Sequence, residues 1–466
     1  MKTHKYRFFI GDFETTVYEG QVNTEVWASA SVEMFTDDVN IFHSIGEQLD
    51  YFISLDSNIV CFYHNLKFDG SFWLDYLAVT LGWKQSCITG ENVNDFTFNR
   101  KKDMKNNTFT YSISNMGQWY RITLKVRNHI IEFRDSLKLL PFSVAEIGRT
   151  FGTKHKKLDM EYKGFRYAGC DITDDEKKYI SNDILVVKEA MEIMFTEGHK
   201  KLTIGSCCSA EYRRLIGATA FKEYFPNVYE IELPEIYGYK TAGEWIKQAY
   251  RGGWCYLAKG KENKIYNNGT TADVNSLYPS MMSSQSGNAY PVGEPTFWHG
   301  NFIPDEALSP TKFFFVRIRT RFYLKEGMLP FIQVKSTLRY KPNEMLECSD
   351  VYNTKEDKYY PFYTDIDGIS KPAVVELTLT MMDYYLLIKH YELVDFEIID
   401  GCWFYSAVGI FDPYIEKYKK IKLESTGAKR ELAKLFLNNL YGKMASNTKS
   451  SFKVAYVKED KTLGFI

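Results

Sequence analysis

No stretch of this 466-residue chain approaches ~18 uninterrupted apolar residues, so hydropathy predicts no membrane-spanning helix. The N-terminal MKTHKYRFFIGDFETT meets acidic residues after a short apolar run, which excludes a secretory signal peptide from the reading. None of the eight cysteines stands in a CxxC pair, and zinc-type spacing is absent. Scattered from Cys61 to Cys402, they read as reduced, mostly buried thiols of a cytoplasmic protein. Neither sign of charge dominates, with 58 Lys and Arg against 59 Asp and Glu and a net charge of -1. A missing basic excess weighs mildly against a nucleic-acid binder. Clustering matters more, and cations do cluster in Lys154-His155-Lys156-Lys157, Arg213-Arg214 and the run Lys417 to Lys422, with aromatics near several of them. That suits either a solvated charged face or a groove that tracks a phosphate backbone and stacks bases. No internal repeat or low-complexity segment is present.

Apolar residues make up 45% of the chain and aromatics 16%, enough for several packed cores. At ~150 residues per domain the length predicts about three domains. Tyr6 to Ile10 and Asn58 to Tyr63 read as buried strands, with a helix at Gly46 to Leu55 between them. Alternating strands and helices suggest an α/β domain with a mixed sheet. Asp174 to Phe195 is predicted helical, with Thr173 as its N-cap and acids in its first turn. Beyond about 204, a short helix precedes an expected sheet-forming stretch at Thr270 to Val274. Phe313 to Arg321 reads as a strand, Thr380 to Tyr391 as a helix, and Asp412 to Ser446 as two helices joined near Ser425-Thr426-Gly427.

Asp12 and Glu14 close the first strand, and residues two apart on a strand share a face. Crowded carboxylates are costly unless cations neutralise them. His64-Asn65-Leu66-Lys67-Phe68-Asp69-Gly70 follows the second strand, where α/β folds place their sites. Asp69 adds a third carboxylate there, while Asn65 and Phe68 are suited to hydrogen-bonding and stacking with a nucleotide. Tyr179 and Asp183 lie four apart on a helix and therefore on one face. Each element alone also fits an ordinary charged strand end or a solvated helix face. Together, four carboxylates and a tyrosine match what hard divalent ions such as Mg²⁺ require, and two such ions ~3.5–4 Å apart support phosphodiester cleavage.

DFETT, NLKFDG and YISNDI resemble the three exonuclease motifs of B-family DNA polymerases, and most closely those of the protein-primed branch of small phages and linear plasmids. The resemblance implies an RNase H-like 3′–5′ exonuclease domain. Asp12, Glu14, Asp69 and Asp183 would be its metal-linked carboxylates, and Tyr179 its water-orienting tyrosine. Asp135-Ser136-Leu137-Lys138 is similar to the family's single-strand-binding motif, which carries over to Ser136 and Leu137. Lys157-Leu158-Asp159-Met160 resembles the lysine motif, so Lys157 would assist catalysis. Thr15, Asn65 and Phe68 match residues that hold a frayed 3′ end.

Tyr250-Arg251-Gly252-Gly253 resembles the family's YxGG motif, which contacts the template strand and the priming protein. Its glycines permit close backbone approach and its arginine suits phosphate. Asp273-Val274-Asn275-Ser276-Leu277-Tyr278-Pro279 is similar to polymerase motif A. Asp273 and the Val274 carbonyl would hold metal, and the Tyr278 ring would exclude a 2′-hydroxyl. Arg430, Lys434, Asn438 and Tyr441 recur at spacings of four, four and three, one polar stripe on a helix. The segment resembles motif B of the fingers and would bind the incoming nucleotide.

Motif C, a Tyr-x-Asp-Thr-Asp stretch, is not found after motif B, nor is a thumb. Tyr363-Thr364-Asp365-Ile366-Asp367 lies between motifs A and B, out of family order, and reads as a loop. The expectation is a polymerase chain cut before motif C, a split polymerase completed in trans by a C-terminal chain, or a stand-alone exonuclease. A non-catalytic DNA- or terminal-protein-binding subunit is the alternative from another class.

The expected architecture is α/β plus α+β. It comprises an exonuclease domain over 1–203, a partial palm over 204–284, a terminal-protein-binding insertion over 285–409, fingers over 410–445 and the start of a second insertion over 446–466. Two Mg²⁺ or Mn²⁺ ions per active site, primer-template DNA, a single-stranded 3′ end, dNTPs and a terminal protein are the implied cofactors and partners. The host cytoplasm is the implied location if the chain is phage-encoded.

Overall fold

Tyr6–Thr15 forms strand β1, the buried run expected from its aromatic and apolar residues. It pairs antiparallel with β2 (Val26–Glu33), which pairs with β3 (Val39–Phe42). On its other side it runs parallel to β4 (Asn58–Tyr63). Then come β5 (Lys84–Gln85), β6 (Thr108–Ile113), β7 (Trp119–Val126) and β8 (His129–Asp135). The resulting mixed sheet has eight strands in the order β3-β2-β1-β4-β8-β7-β6-β5. This computed structural model describes residues 6–88, 96–160, 165–258, 260–334, 339–341, 344–446 and 453–465. Two compact units make it up, residues 1–211 with 416–466, and residues 212–415.

The sheet belongs to the first unit. Its three parallel strands β1, β4 and β8 all end on the same side, at Gly11, Tyr63 and Asp135 in register. Three helices matter for the site: α1 (Ile45–Ser54), α2 (Leu66–Asp75) and α3 (Asp174–Thr196). Trp73 of α2 stacks on Phe133 of β8 at 4.1 Å between ring centroids, which fixes α2 on the sheet. Thr173 and Glu176 form a reciprocal capping box that starts α3 where its acidic first turn predicts. Gly11 has no space for a side chain, because a Cβ there would stand 2.8 Å from both Cys61 Sγ and the Tyr63 ring. This close approach lets β1 and β4 end side by side.

The second unit is built on an antiparallel sheet of four strands, β9 (Ala289–His299), β10 (Lys312–Leu324), β11 (Val375–Thr380) and β12 (Tyr391–Val408), in the order β9-β12-β10-β11. Arg317 and Asp400 face each other in register across β10 and β12. The Arg317 Nε donates to Asp400 Oδ1 at 3.0 Å, and Trp245 Nε1 donates to the same oxygen at 3.2 Å. Asp400 is fully buried. Asp400→Ala therefore leaves a buried guanidinium with only its longer contact to Glu376 at 3.4 Å, and strands an indole N–H. We expect it to destabilise this unit by about 3–5 kcal/mol, seen as an earlier denaturant midpoint in tryptophan fluorescence.

One sequence expectation fails here. Thr270 to Val274 is not a strand, and residues 261–274 hold only turns and irregular backbone. A strand needs a neighbouring backbone to satisfy its N–H and C=O groups, and among the described residues none pairs with this segment. Tyr363 to Asp367 lies on a two-stranded hairpin of Phe362–Thr364 and Ser370–Pro372, with Asp365 bound to Lys371 at 2.5 Å, consistent with a loop. All eight cysteines are free thiols. Among the described residues no helix is long and apolar enough to cross a membrane.

Candidate exonuclease and nucleotide sites

The ends of the parallel strands bring the predicted carboxylates together. Asp12 and Glu14 lie on β1 at and beyond the point where its pairing with β4 stops. β4 leads through His64 and Asn65 into α2, which carries Asp69 in its first turn. Asn65 adopts a left-handed backbone conformation, φ 74°, a strain tolerated by asparagine that turns the chain sharply into the helix. α3 packs against β1 and β2 and presents Asp183 and Tyr179.

Electrostatics show that these groups feel one another. Burial, followed by the charges of Asp69, Glu14 and Asp183, pushes the Asp12 carboxyl well above its usual range. Burial in the main pushes Asp69 up to about 8, with Glu14 and Asp135 adding to it. Asp183 is also raised by burial, against the pull of Lys157. Lys157 Nζ donates to Asp183 Oδ2 at 2.5 Å and lies 3.4 Å from the Tyr179 hydroxyl. Burial alone would lower the Lys157 ammonium, but the Asp183 hydrogen bond and charge outweigh it and hold it raised. Tyr179 is raised by burial and by Asp183, so its phenol keeps its proton.

A divalent cation fits this donor set. Asp69 Oδ1 and Asp183 Oδ1 are buried and have no hydrogen-bond partner. Buried carboxylate oxygens left unpaired among like charges are expensive, and a hard cation removes that cost. Among the described residues no three His, Cys, Asp or Glu side chains already close into a metal cage.

Around the carboxylates, Thr15 sits at the bulge that ends the β1–β2 pairing, and Phe68 stands 47% exposed on the first turn of α2. Asn65 is exposed and Leu137 half-buried. Ser136 is expected from the sequence to contact the single strand. It is fully buried, its hydroxyl donates to the Tyr63 carbonyl at 3.1 Å and lies 3.0 Å from His64 Nδ1. Its hydroxyl ties the turn after β8 to the end of β4. Two further residues shape this neighbourhood. Asp135 Oδ1 accepts the backbone N–H groups of Asn65, Leu66 and Leu137 at 3.1, 3.3 and 3.0 Å. His64 Nε2 meets the Phe142 carbonyl at 2.7 Å, and burial lowers its pKa. The signal for Asp135 was its place directly before Ser136-Leu137, the position of a capping aspartate.

In the second unit, Tyr250, Gly252 and Gly253 are exposed. A Cβ on Gly253 would lie 3.7 Å from Tyr278 Oη, so this motif and motif A are neighbours. Arg251 is half-buried. Its guanidinium is turned inward onto the Gln333 and Thr378 carbonyls at 3.3 and 3.2 Å, and burial lowers its pKa. Asp273 is exposed on irregular backbone, Val274 is exposed, and Tyr278 lies on the short helix Leu277–Met282. In the first unit, the helix Gly427–Met444 buries Leu432, Ala433, Phe436, Leu437 and Leu440. Arg430, Lys434 and Asn438 stand exposed on its other side, with Tyr441 half-buried at the end of the line.

A family model for DNA polymerase type B, organellar and viral, matches residues 54–169 and 166–465. The chain belongs to this family. The polymerase is 34% identical to the DNA polymerase of Bacillus phage Nf over 466 residues, covering 98% of this chain and 71% of the relative. It superposes on phi29 DNA polymerase complexed with primer-template DNA with a TM-score of 0.78 and 31% identity, over 99% of this chain and 72% of that one. On phi29 DNA polymerase complexed with single-stranded DNA the TM-score is 0.77 at 31% identity, with the same coverages of 99% and 72%. It is a DNA-directed DNA polymerase of the protein-primed B family, with the RNase H-like exonuclease fold joined to palm and fingers elements. Dependence on divalent metal follows from the family.

Proposed function

We propose that Asp12, Glu14, Asp69 and Asp183 form the proofreading centre of this polymerase, removing nucleotides from a frayed 3′ end with two Mg²⁺ or Mn²⁺ ions. The observation that carries this is the pair of buried, unpartnered oxygens on Asp69 and Asp183 among mutually repelling carboxylates. Bound ions would activate the attacking water and neutralise the charge on the leaving 3′ oxygen. The protein supplies position. The protonated Tyr179 phenol orients the water, and Lys157 holds Asp183 in place. Phe68 and Asn65 receive the terminal base and sugar, with Thr15 and Leu137 beside them. The water oxygen bonds to phosphorus, the P–O3′ bond breaks, and the upstream oxygen leaves as a hydroxyl.

For synthesis, Asp273 and the Val274 carbonyl are proposed metal contacts. Tyr278, Arg430, Lys434, Asn438 and Tyr441 are the proposed nucleotide contacts. Tyr250, Gly252 and Gly253 would meet the template strand. Replication in the host cytoplasm, primed by a terminal protein that docks on the 285–409 region, is part of the same reading. Primer extension with a 5′-labelled primer, Mg²⁺ and four dNTPs tests it. Lengthened products mean that polymerisation is complete in this chain. Shortened products alone mean proofreading without synthesis, and unchanged primer rejects both.

Lys157→Ala is expected to slow excision about 10- to 100-fold, the usual cost of losing a partner that orients a metal-linked ligand. Single-turnover excision of a labelled oligonucleotide measures it. A loss below twofold would remove Lys157 from the site.

A further inference from the structure

Three large aromatic side chains stand exposed on the segments that follow Thr15 and precede α3, and none of the motifs uses them. Tyr18, Phe165 and Tyr167 are 42%, 59% and 53% exposed. They nevertheless contact each other. Tyr18 and Phe165 have ring centroids 4.8 Å apart, and Phe165 lies 6.1 Å from Tyr167 with the rings 27° from parallel. The two segments that carry them are tied to the site. Tyr18 is three residues beyond Thr15, so the two Cα atoms stand within ~11 Å. Thr16, between them, is buried and pins the loop through the Glu25 backbone N–H at 3.0 Å. Arg166, flanked by Phe165 and Tyr167, pairs with Glu176, one helical turn before Tyr179. Its guanidinium lies 5.7 Å over the ring of Trp27, the β2 residue opposite the bulge between Glu14 and Thr15.

We propose that Tyr18, Phe165 and Tyr167 form a stacking platform for the bases of single-stranded DNA just upstream of the nucleotide being excised. The inference rests on the proofreading reading of the neighbouring carboxylates. Exposed rings are disfavoured in water, and three of them in contact, on segments held by a buried threonine and an ion pair, form the kind of contiguous patch that marks a binding surface. Every base offers a π-face, so such a platform is indifferent to sequence, as a proofreading site must be. A frayed strand reaching Asp12 and Glu14 emerges beside Thr15, where the platform begins. The platform adds grip to a strand long enough to span it and none to a dinucleotide.

The test measures excision of 5′-labelled thymidine oligonucleotides of increasing length, with intact or abasic residues upstream of the 3′ nucleotide. For the natural protein KM falls with length, and abasic residues raise it. With Tyr18→Ala, Phe165→Ala and Tyr167→Ala combined, KM for the long intact strand rises at least about tenfold, and abasic residues cost nothing further. Leucine at the three positions keeps apolar bulk and does not restore KM, while tryptophan does. A KM change under twofold, or an undiminished abasic penalty in the alanine variant, overturns the platform. If excision is absent, or survives Asp12→Ala with Glu14→Ala, the proofreading reading falls instead. Anisotropy binding of the same oligonucleotides in chelator then decides the platform alone. Base-dependent affinity lost in the alanine variant upholds it, and equal affinity rejects it.

Discussion

Alanine at both Asp12 and Glu14 lowers 3′-nucleotide removal by at least about 10³-fold, about 4 kcal/mol of transition-state stabilisation. The two side chains project from consecutive same-face positions of β1; the Glu14 charge raises both Asp12 and Asp69, and Asp69 in turn raises Asp12. Removing both takes away half of the proposed anionic donor set, so divalent ions lose their site rather than one contact. Folding is not expected to suffer, because the change relieves like-charge crowding. The measurement is gel-resolved excision of a 5′-labelled single strand with Mg²⁺, alongside primer extension on the same preparation. Activity within tenfold of the natural protein would mean that another site cuts the DNA.

Asp69→Asn separates stability from activity. The folded protein holds the Asp69 carboxyl up to about 8, mainly through burial, while an unfolded chain ionises it near pH ~4. Between those limits the folded state binds more protons than the unfolded one, so its stability falls as pH rises. In chelator, the natural protein therefore melts lower at pH 8 than at pH 6. The asparagine substitution removes this slope contribution, and the variant gains melting temperature at pH 8 by several degrees while losing excision. Mg²⁺ favours the ionised carboxylates, so it raises the melting temperature of the natural protein more at pH 8 than at pH 6. Thermal melts across pH, with and without Mg²⁺, check both signs. A variant that melts lower than the natural protein at pH 8 would mean that Asp69 is held by structural hydrogen bonds and not poised for a cation.

Local chemistry made much of this molecule readable. Apolar runs marked β1 and β4, and Thr173 with its acidic neighbours marked the start of α3, because caps and burial periodicity act over a few residues. The Arg430, Lys434 and Asn438 line also followed from helical spacing alone. Ser136 and Arg251 could not be judged that way. Each side chain is held by carbonyls from distant segments, Tyr63 for one and Gln333 and Thr378 for the other. The strand expected at Thr270 to Val274 likewise depended on a pairing partner that no local pattern can supply.

The sequence by itself determined which side chains the chain carries and at what spacing: four carboxylates, a tyrosine and a lysine in an order that resembles a proofreading nuclease, followed by motifs that resemble those of polymerases. Only the tertiary structure decided that the ends of parallel β1, β4 and β8 lie side by side. That convergence turns separate acids into a cluster with raised pKa values, lets Asp135 reach three backbone N–H groups, and sets Tyr18 against Phe165. The reason is range. Residue type and spacing encode what a side chain can do, whereas repulsion, burial and stacking depend on contacts between segments far apart in the chain.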